Sequence, residues 1–218
     1  IDGSFEGVPQ GYGTLVIYNV GDTLPSMPKV VDVDERRTEL AEAAARLIAR
    51  AGIGAATMRG VAAEVGLTTG SLTHYFADKR DLMLHTFRES LDGRRALRQT
   101  RNQSDPRAAL IQTLEGSLPI DVERRTHWMV SIAFCAEAAG DEALADVQQA
   151  AYREHRAHVS RLLRAMGYPN DVATTALAER LLACANGVAT QALFDPAGWP
   201  PTRQQTRLHE LLGPLLPS

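Results

Sequence analysis

The chain has only two cysteines in 218 residues, Cys135 and Cys184, and no CxxC spacing. That tells against a disulfide framework. Both lie in apolar helical runs, so buried thiols of a reducing compartment, the cytoplasm, are expected. No apolar run reaches the length of a membrane span, and the opening residues lack the basic n-region of a secretory signal. An excess of basic charge is also absent: 23 Lys and Arg stand against 26 Asp and Glu, a net charge of -3. Any contact with nucleic acid must then come from a local patch rather than a broadly basic surface. A phosphate loop, HExxH, a nucleophile elbow and a supported Ser/His/Asp grouping are all missing, so neither an enzyme nor a cofactor is expected.

What is present divides unevenly. Residues 1–26, IDGSFEGVPQGYGTLVIYNVGDTLPS, hold no Lys, Arg or His and are rich in Gly. Within them TLVIYNV has weak strand character, broken up by turn-formers. From Met27 the composition changes abruptly to Ala, Arg, Leu and Glu. The first residue is Ile, so the native start is expected near Met27. Residues 1–26 are then a tag, an upstream translation or a loosely held extension outside the core fold, and dispensable. There are no internal repeats.

Punctuation and periodicity predict an all-α fold after Met27. Asp34 is expected to cap a first helix whose Leu40, Ala44, Leu47, Ile48 and Ala51 share a face, with Gly52 as its stop. Thr57 is expected to cap a second, which turns Met58, Val61 and Val65 inward and ends at Gly66. Thr68 or Thr69 caps a third, running to about Tyr75, and Asp78 a fourth, from Lys79 towards Thr100. Further helices are predicted at roughly 105–118, 121–139, 141–166, 171–194 and 202–212, separated by Gly and Pro.

Ala62, Gly66 and Leu72 have the register of a helix-turn-helix. The alanine lets the next helix cross close above it, the glycine can take positive φ in the turn, and the leucine anchors the second helix. An ordinary αα-hairpin is the alternative. The flanking residues move the balance. TMRGVAAEVGLTTGSLTHYFADKRDL resembles the DNA-binding domain of the tetracycline-repressor (TetR) family. The shared pattern falls on Thr57-Met58, Val61-Ala62, Val65-Gly66-Leu67-Thr68, Gly70, Leu72, Tyr75-Phe76 and Lys79. The resemblance covers residues 34–82. Thr73 departs from it, standing where many members carry Tyr, and GSLTHYF looks more like the betaine-operon branch.

The resemblance implies a three-helix DNA-binding domain over 27–82 and a larger helical ligand-binding and dimerisation domain over 83–218. It implies double-stranded operator DNA as a partner. Thr68 and Thr69 would sit where free N–H groups favour phosphate, and Gly70 would allow close approach. Ser71, Thr73 and His74 would face base edges. Thr57 opens the motif, and Arg59, Tyr75 and Lys79 would contact phosphate; a solvated surface charge is the alternative for Arg59 and Lys79. Phe76 is expected in the core.

In the larger domain, His127, Val130, Phe134 and Glu137 share one face of an apolar helix. Their polar members could point into a cavity for an unknown small-molecule effector, or form a buried pair satisfied by neighbours. Trp128, Tyr152 and Asn186 are further candidates. Trp128 or Tyr152 could face a quaternary ammonium with Glu137 as counter-charge, although Trp128 is offset in phase, and a generic apolar ligand ranks above a cation. His155, His158 and Glu154 read as a solvated face rather than a metal site. Ala176, Ala183, Gly187 and Thr190 form a stripe of small side chains on a helix apolar nearly all round. With Leu208, Leu211 and Leu212 of the last helix they are expected to build a homodimer interface of four helices; a buried intrachain helix is the alternative.

The expected function is a ligand-responsive regulator, most often a repressor, released from a pseudo-palindromic operator by a small molecule wedged between the fourth helix and the helix of Phe134 and Glu137. A dimer gated by a partner protein, and an enzyme with a misleading N-terminus, are the alternatives.

Overall fold

The computed structural model describes residues 32–99 and 105–216, with side chains at all of these except 94 and 96–99. Residues 1–31, with the segment expected to be an extension, lie outside what is described, as does the side chain of Leu97, expected at the far end of the fourth helix. Among the described residues every regular element is a helix: α1 (Val33–Ala51), α2 (Met58–Glu64), α3 (Thr69–Leu72), α4 (Lys79–Gln99), α5 (Pro106–Glu115), α6 (Val122–Ala138), α7 (Glu142–Ala165), α8 (Val172–Phe194) and α9 (Pro201–Leu212). None of the described helices is long and apolar enough to cross a membrane.

Aspartate starts most of them. Asp105, Asp121, Asp141 and Asp171 each accept a hydrogen bond from a backbone N–H of the first turn of α5, α6, α7 and α8. A carboxylate there satisfies an orphan donor and complements the positive end of the helix dipole. Asp78 does the same for α4 through Asp81 N, at 2.8 Å. The first helix begins slightly earlier than expected. Asp32 is its cap and receives the N–H of Asp34, so Asp34 is an acidic first-turn residue and not the cap. Ala51, expected on the inner face, is exposed in the last turn.

Among the described residues, three apolar clusters hold the helices together. Leu40, Leu47, Val61, Leu72, Phe76 and Leu82 form the first, around α1 to α3. Leu110, Leu163, Leu181, Val188 and Leu208 belong to the third, which joins α5, α7, α8 and α9. Between them lies a seam of Ile48 from α1, Met83 and Phe87 from α4, Val130 and Phe134 from α6, and Leu144 from α7. Phe87 and Phe134 are fully buried there and stack with centroids 4.0 Å apart and planes 6° from parallel. α1 and α4 therefore each serve two clusters, and the small N-terminal unit is joined to the larger body through packed side chains.

Candidate functional site

The α2–α3 unit is fixed by its own hydroxyls. Thr57 Oγ1 accepts the N–H of Gly60 at 2.9 Å, and Thr68 Oγ1 accepts that of Ser71 at 3.0 Å. Thr68 and Ser71 also share a hydroxyl–hydroxyl bond of 2.9 Å, and Thr73 Oγ1 donates to Gly70 O at 2.7 Å. Gly66 has φ +69°, the left-handed geometry the turn requires, while Ala62, Leu72 and Phe76 are fully buried. α3 is only four residues long. Beyond Leu72 the chain continues in tight turns, with Phe76 N donating back to Leu72 O at 3.1 Å, so the helix expected to reach Tyr75 stops short. Sequence reading missed Gly60: a Cβ there would lie 2.3 Å from the backbone oxygen of Ala55. A larger residue would force α2 and the preceding turn apart.

Thr57, Arg59, Thr68, Thr69, Gly70, Thr73 and His74 are exposed, and Ser71 and Tyr75 are half-buried. The acids near this unit are engaged. Arg50 binds Glu64 through two bonds of 3.1 and 2.7 Å, and this pairing holds the Glu64 carboxyl below its usual range. Asp81 accepts from Arg37 at 3.4 Å and from Ala77 N at 3.1 Å. Arg59 makes no ion pair among the described residues, so the outward side of the unit carries one uncommitted cation amid hydroxyls.

Lys79 stands elsewhere. Its Nζ donates to Glu137 Oε1 at 2.6 Å, joining the first residue of α4 to the last turn of α6. In this arrangement Lys79, with 42% of its side chain exposed, is held by a carboxylate, and Glu137 is turned to Lys79 rather than into the cavity described below. Beside it, Arg80 makes two bonds to Asp141, of 2.6 and 2.8 Å. The Arg80 hydrogen bond, with the N–H of Leu144, pulls the Asp141 carboxyl down to about 2. The start of α4 is thus tied to the junction of α6 and α7.

Further along, Ser90 Oγ and His127 Nδ1 are 2.9 Å apart. Gly93 makes room for that imidazole, since a Cβ on it would lie 3.1 Å from His127 Cε1. With Phe134 stacked on Phe87, the α4–α6 seam, where a ligand was expected to wedge, is filled along this face of α6.

The opposite face of α6 borders a cavity of about 320 Å³. Trp128, Ser131, Ile132 and Cys135 line it from α6, Leu91 and Arg95 from α4, and Ser117 from the end of α5. Gln148, Ala151, Tyr152, Glu154 and His155 of α7 and Asn186 and Thr190 of α8 complete the wall. Of the six residues expected at a ligand, Trp128, Tyr152 and Asn186 meet here; His127, Phe134 and Glu137 lie outside. The signal that would have found Ser131, Ile132 and Cys135 was present as the helical spacing from Trp128, the phase set aside in favour of Phe134. Cys135 is half-buried on this wall, and Cys184 is half-buried against the body core, so neither is the fully buried thiol expected. Arg95 and Glu154 pair in bidentate fashion, Nε to Oε1 being 2.8 Å, and Arg95 also holds Asp92.

Residues 40–86 match the family described as bacterial regulatory proteins, tetR family, and residues 106–217 match the BetI-type transcriptional repressor, C-terminal. The chain belongs to the TetR family. It is similar to the HTH-type transcriptional regulator PksA of Bacillus subtilis, with 29% identity over 174 residues, 78% of this chain and 84% of that protein. A transcriptional regulator from Rhodococcus sp. Rha1 superposes with a TM-score of 0.76 at 27% identity, over 83% of this chain and 95% of its own. A regulator from Saccharomonospora viridis, solved in complex with choline, superposes at 0.72 with 24% identity, over 82% of this chain and 96% of its own. This TetR-family chain is a transcriptional regulator with a helix-turn-helix DNA-binding domain, and not an enzyme.

The outer side of this regulator shows which apolar residues its own core uses. On α8, Ala183, Gly187 and Thr190 are exposed and Ala176 is half-buried; a Cβ on Gly187 would meet nothing within 4 Å. Phe194 at the end of the helix is 70% exposed, and Leu211 of α9 is 47% exposed. Leu208 and Leu212, expected at a dimer interface, are buried in the chain's own core at 0% and 2%. The helical phase explains this: Gln204, Leu208 and Leu212 form the face of α9 turned to α8, and Leu211 points away.

Proposed function

We propose that this TetR-family regulator is a cytoplasmic, ligand-responsive repressor that binds a pseudo-palindromic operator as a homodimer and leaves it when a small molecule fills the cavity. The proposed reading head spans 27–82 and the effector and dimerisation body 83–218. Ser71, Thr73 and His74 face base edges, and Gly70 allows close approach; Thr57, Arg59, Thr68, Thr69 and Tyr75 position the backbone. Ala176, Ala183, Gly187, Phe194 and Leu211 offer the partner a face of small and apolar side chains, two of the last kind widely exposed.

One observation carries the control mechanism. α6 lines the cavity with Trp128, Ser131 and Ile132, and its last turn holds Lys79, the first residue of α4, through Glu137. A ligand that fits better when α6 is displaced favours the arrangement in which Lys79 and the reading unit have moved with it. Release follows only from that difference in affinity. A cavity walled on four helices favours this over gating by a partner protein.

Footprinting the DNA upstream of the protein's own coding region would find the operator, and fluorescence anisotropy would follow binding. The expected result is one dimer per operator, with half-sites about one helical turn or slightly more apart. No protected sequence, or binding as a monomer, would defeat the proposal.

A further inference from the structure

The cavity wall carries information about what it holds. Ser131 Oγ on α6 and Gln148 Oε1 on α7 are buried and lack a hydrogen-bond partner. Buried polar groups are costly unless paired, so the wall offers two positions that a ligand's own polar groups would satisfy. The charges on the wall are, by contrast, already spent. Its carboxylate, Glu154, is bound by its guanidinium, Arg95, and Arg95 holds Asp92 as well. The pair stands at the rim, Arg95 38% and Glu154 47% exposed. A cation approaching Glu154 would also approach Arg95, and an anion would have to displace two carboxylates to reach Arg95. Glu137, the expected counter-charge for a quaternary ammonium, is held by Lys79 outside the cavity. Burying an ion without a counter-charge is strongly unfavourable.

From this arrangement we infer that the effector is a neutral amphipathic molecule, with an apolar body against Leu91, Trp128 and Ile132 and a hydroxyl or carboxamide bonded to Ser131 and Gln148. The inference rests on the cavity being the effector site proposed above.

The test holds the body constant and varies the charge. Phenylbutanol, phenylbutylammonium and phenylbutyrate are titrated into the full chain by calorimetry without DNA, with choline as a fourth probe. The alcohol is expected to bind about tenfold more tightly than any of the three ions, and Ser131→Ala and Gln148→Leu each to weaken it by roughly three- to tenfold. Both variants remove an unsatisfied buried group, so neither should lower the thermal midpoint of the free protein; that separates lost contact from lost fold. Tighter binding of an ion, absence of binding by the alcohol at millimolar concentration, or equal binding of the alcohol by wild type and both variants would overturn the assignment. Failure of the repressor reading shows separately, as absence of operator binding by the ligand-free protein. Should the alcohol bind in the cavity and leave the operator complex intact, ligand release fails while the ligand class stands.

Discussion

The two faces of α6 do opposite things with similar material. The face of Val130, Phe134 and Glu137 is closed: an aromatic stack on Phe87, a hydrogen bond between His127 and Ser90, and an ion pair to Lys79 tie it to α4. The face of Trp128, Ser131 and Cys135 is open, and it keeps a buried hydroxyl without a hydrogen-bond partner. A helix packed on one side and open to a cavity on the other is suited to respond to a ligand. The closed side transmits a displacement because packed side chains deform little, and the open side supplies the group whose satisfaction drives it.

Breaking the closed face should have the largest effect. Phe134→Ala removes a fully buried ring and is expected to cost about 3–5 kcal/mol of stability, read by urea denaturation; a cost below about 1 kcal/mol would mean that the seam can collapse and cannot be a rigid coupling. Next comes the head. In Gly60→Ala the new methyl meets the Ala55 oxygen, and a loss of roughly 1–3 kcal/mol is expected from displaced backbone; unchanged stability would show that α2 has room to shift.

A finer comparison sets Arg59 against Lys79. Arg59→Ala should lower the salt dependence of operator binding by about one in the slope. Lys79→Ala should leave that slope nearly unchanged and alter stability by no more than about 1 kcal/mol, because its half-exposed charge already serves Glu137. The reverse pattern would return Lys79 to the phosphates. The smallest effect is expected at Asp141. Its folded pKa of about 2 lies below the ordinary 3.8, so the ionised form favours the fold. That contribution is fully present above the unfolded value and fades as pH falls through the folded one. Asp141→Asn keeps a capping oxygen but should flatten the acid limb of a stability–pH curve between about 4 and 2; an unaltered limb would show that Arg80 contributes nothing there.

Much of the fold was legible because its signals are local. Thr57 and Thr68 cap α2 and α3 as expected, Gly52 and Gly66 take positive φ, and Asp105, Asp121, Asp141 and Asp171 stand at the helix starts that the Gly and Pro breaks implied. Each depends on bonds reaching three or four residues along the chain, which spacing records directly. Gly60 was missed because its constraint lies in a 3-10 turn, Ile53–Ala55, that leaves no period in the sequence. The end of α3 was misjudged because the residues after Leu72 are as compatible with a helix as with the tight turns they adopt.

By itself, then, the sequence determined the helices, their caps and the register of the reading turn. It also determined that α6 has two distinct faces, in the phase difference between Trp128 and Phe134. Only the tertiary structure decided which face meets α4 and which borders a cavity. Glu137 finds its lysine 58 residues away, and Leu208 and Leu212 are used by their own core rather than by a partner. An apolar or charged side chain on a helix announces that it will be paired or buried; the packing of distant elements, in which many faces compete for each position, chooses the partner.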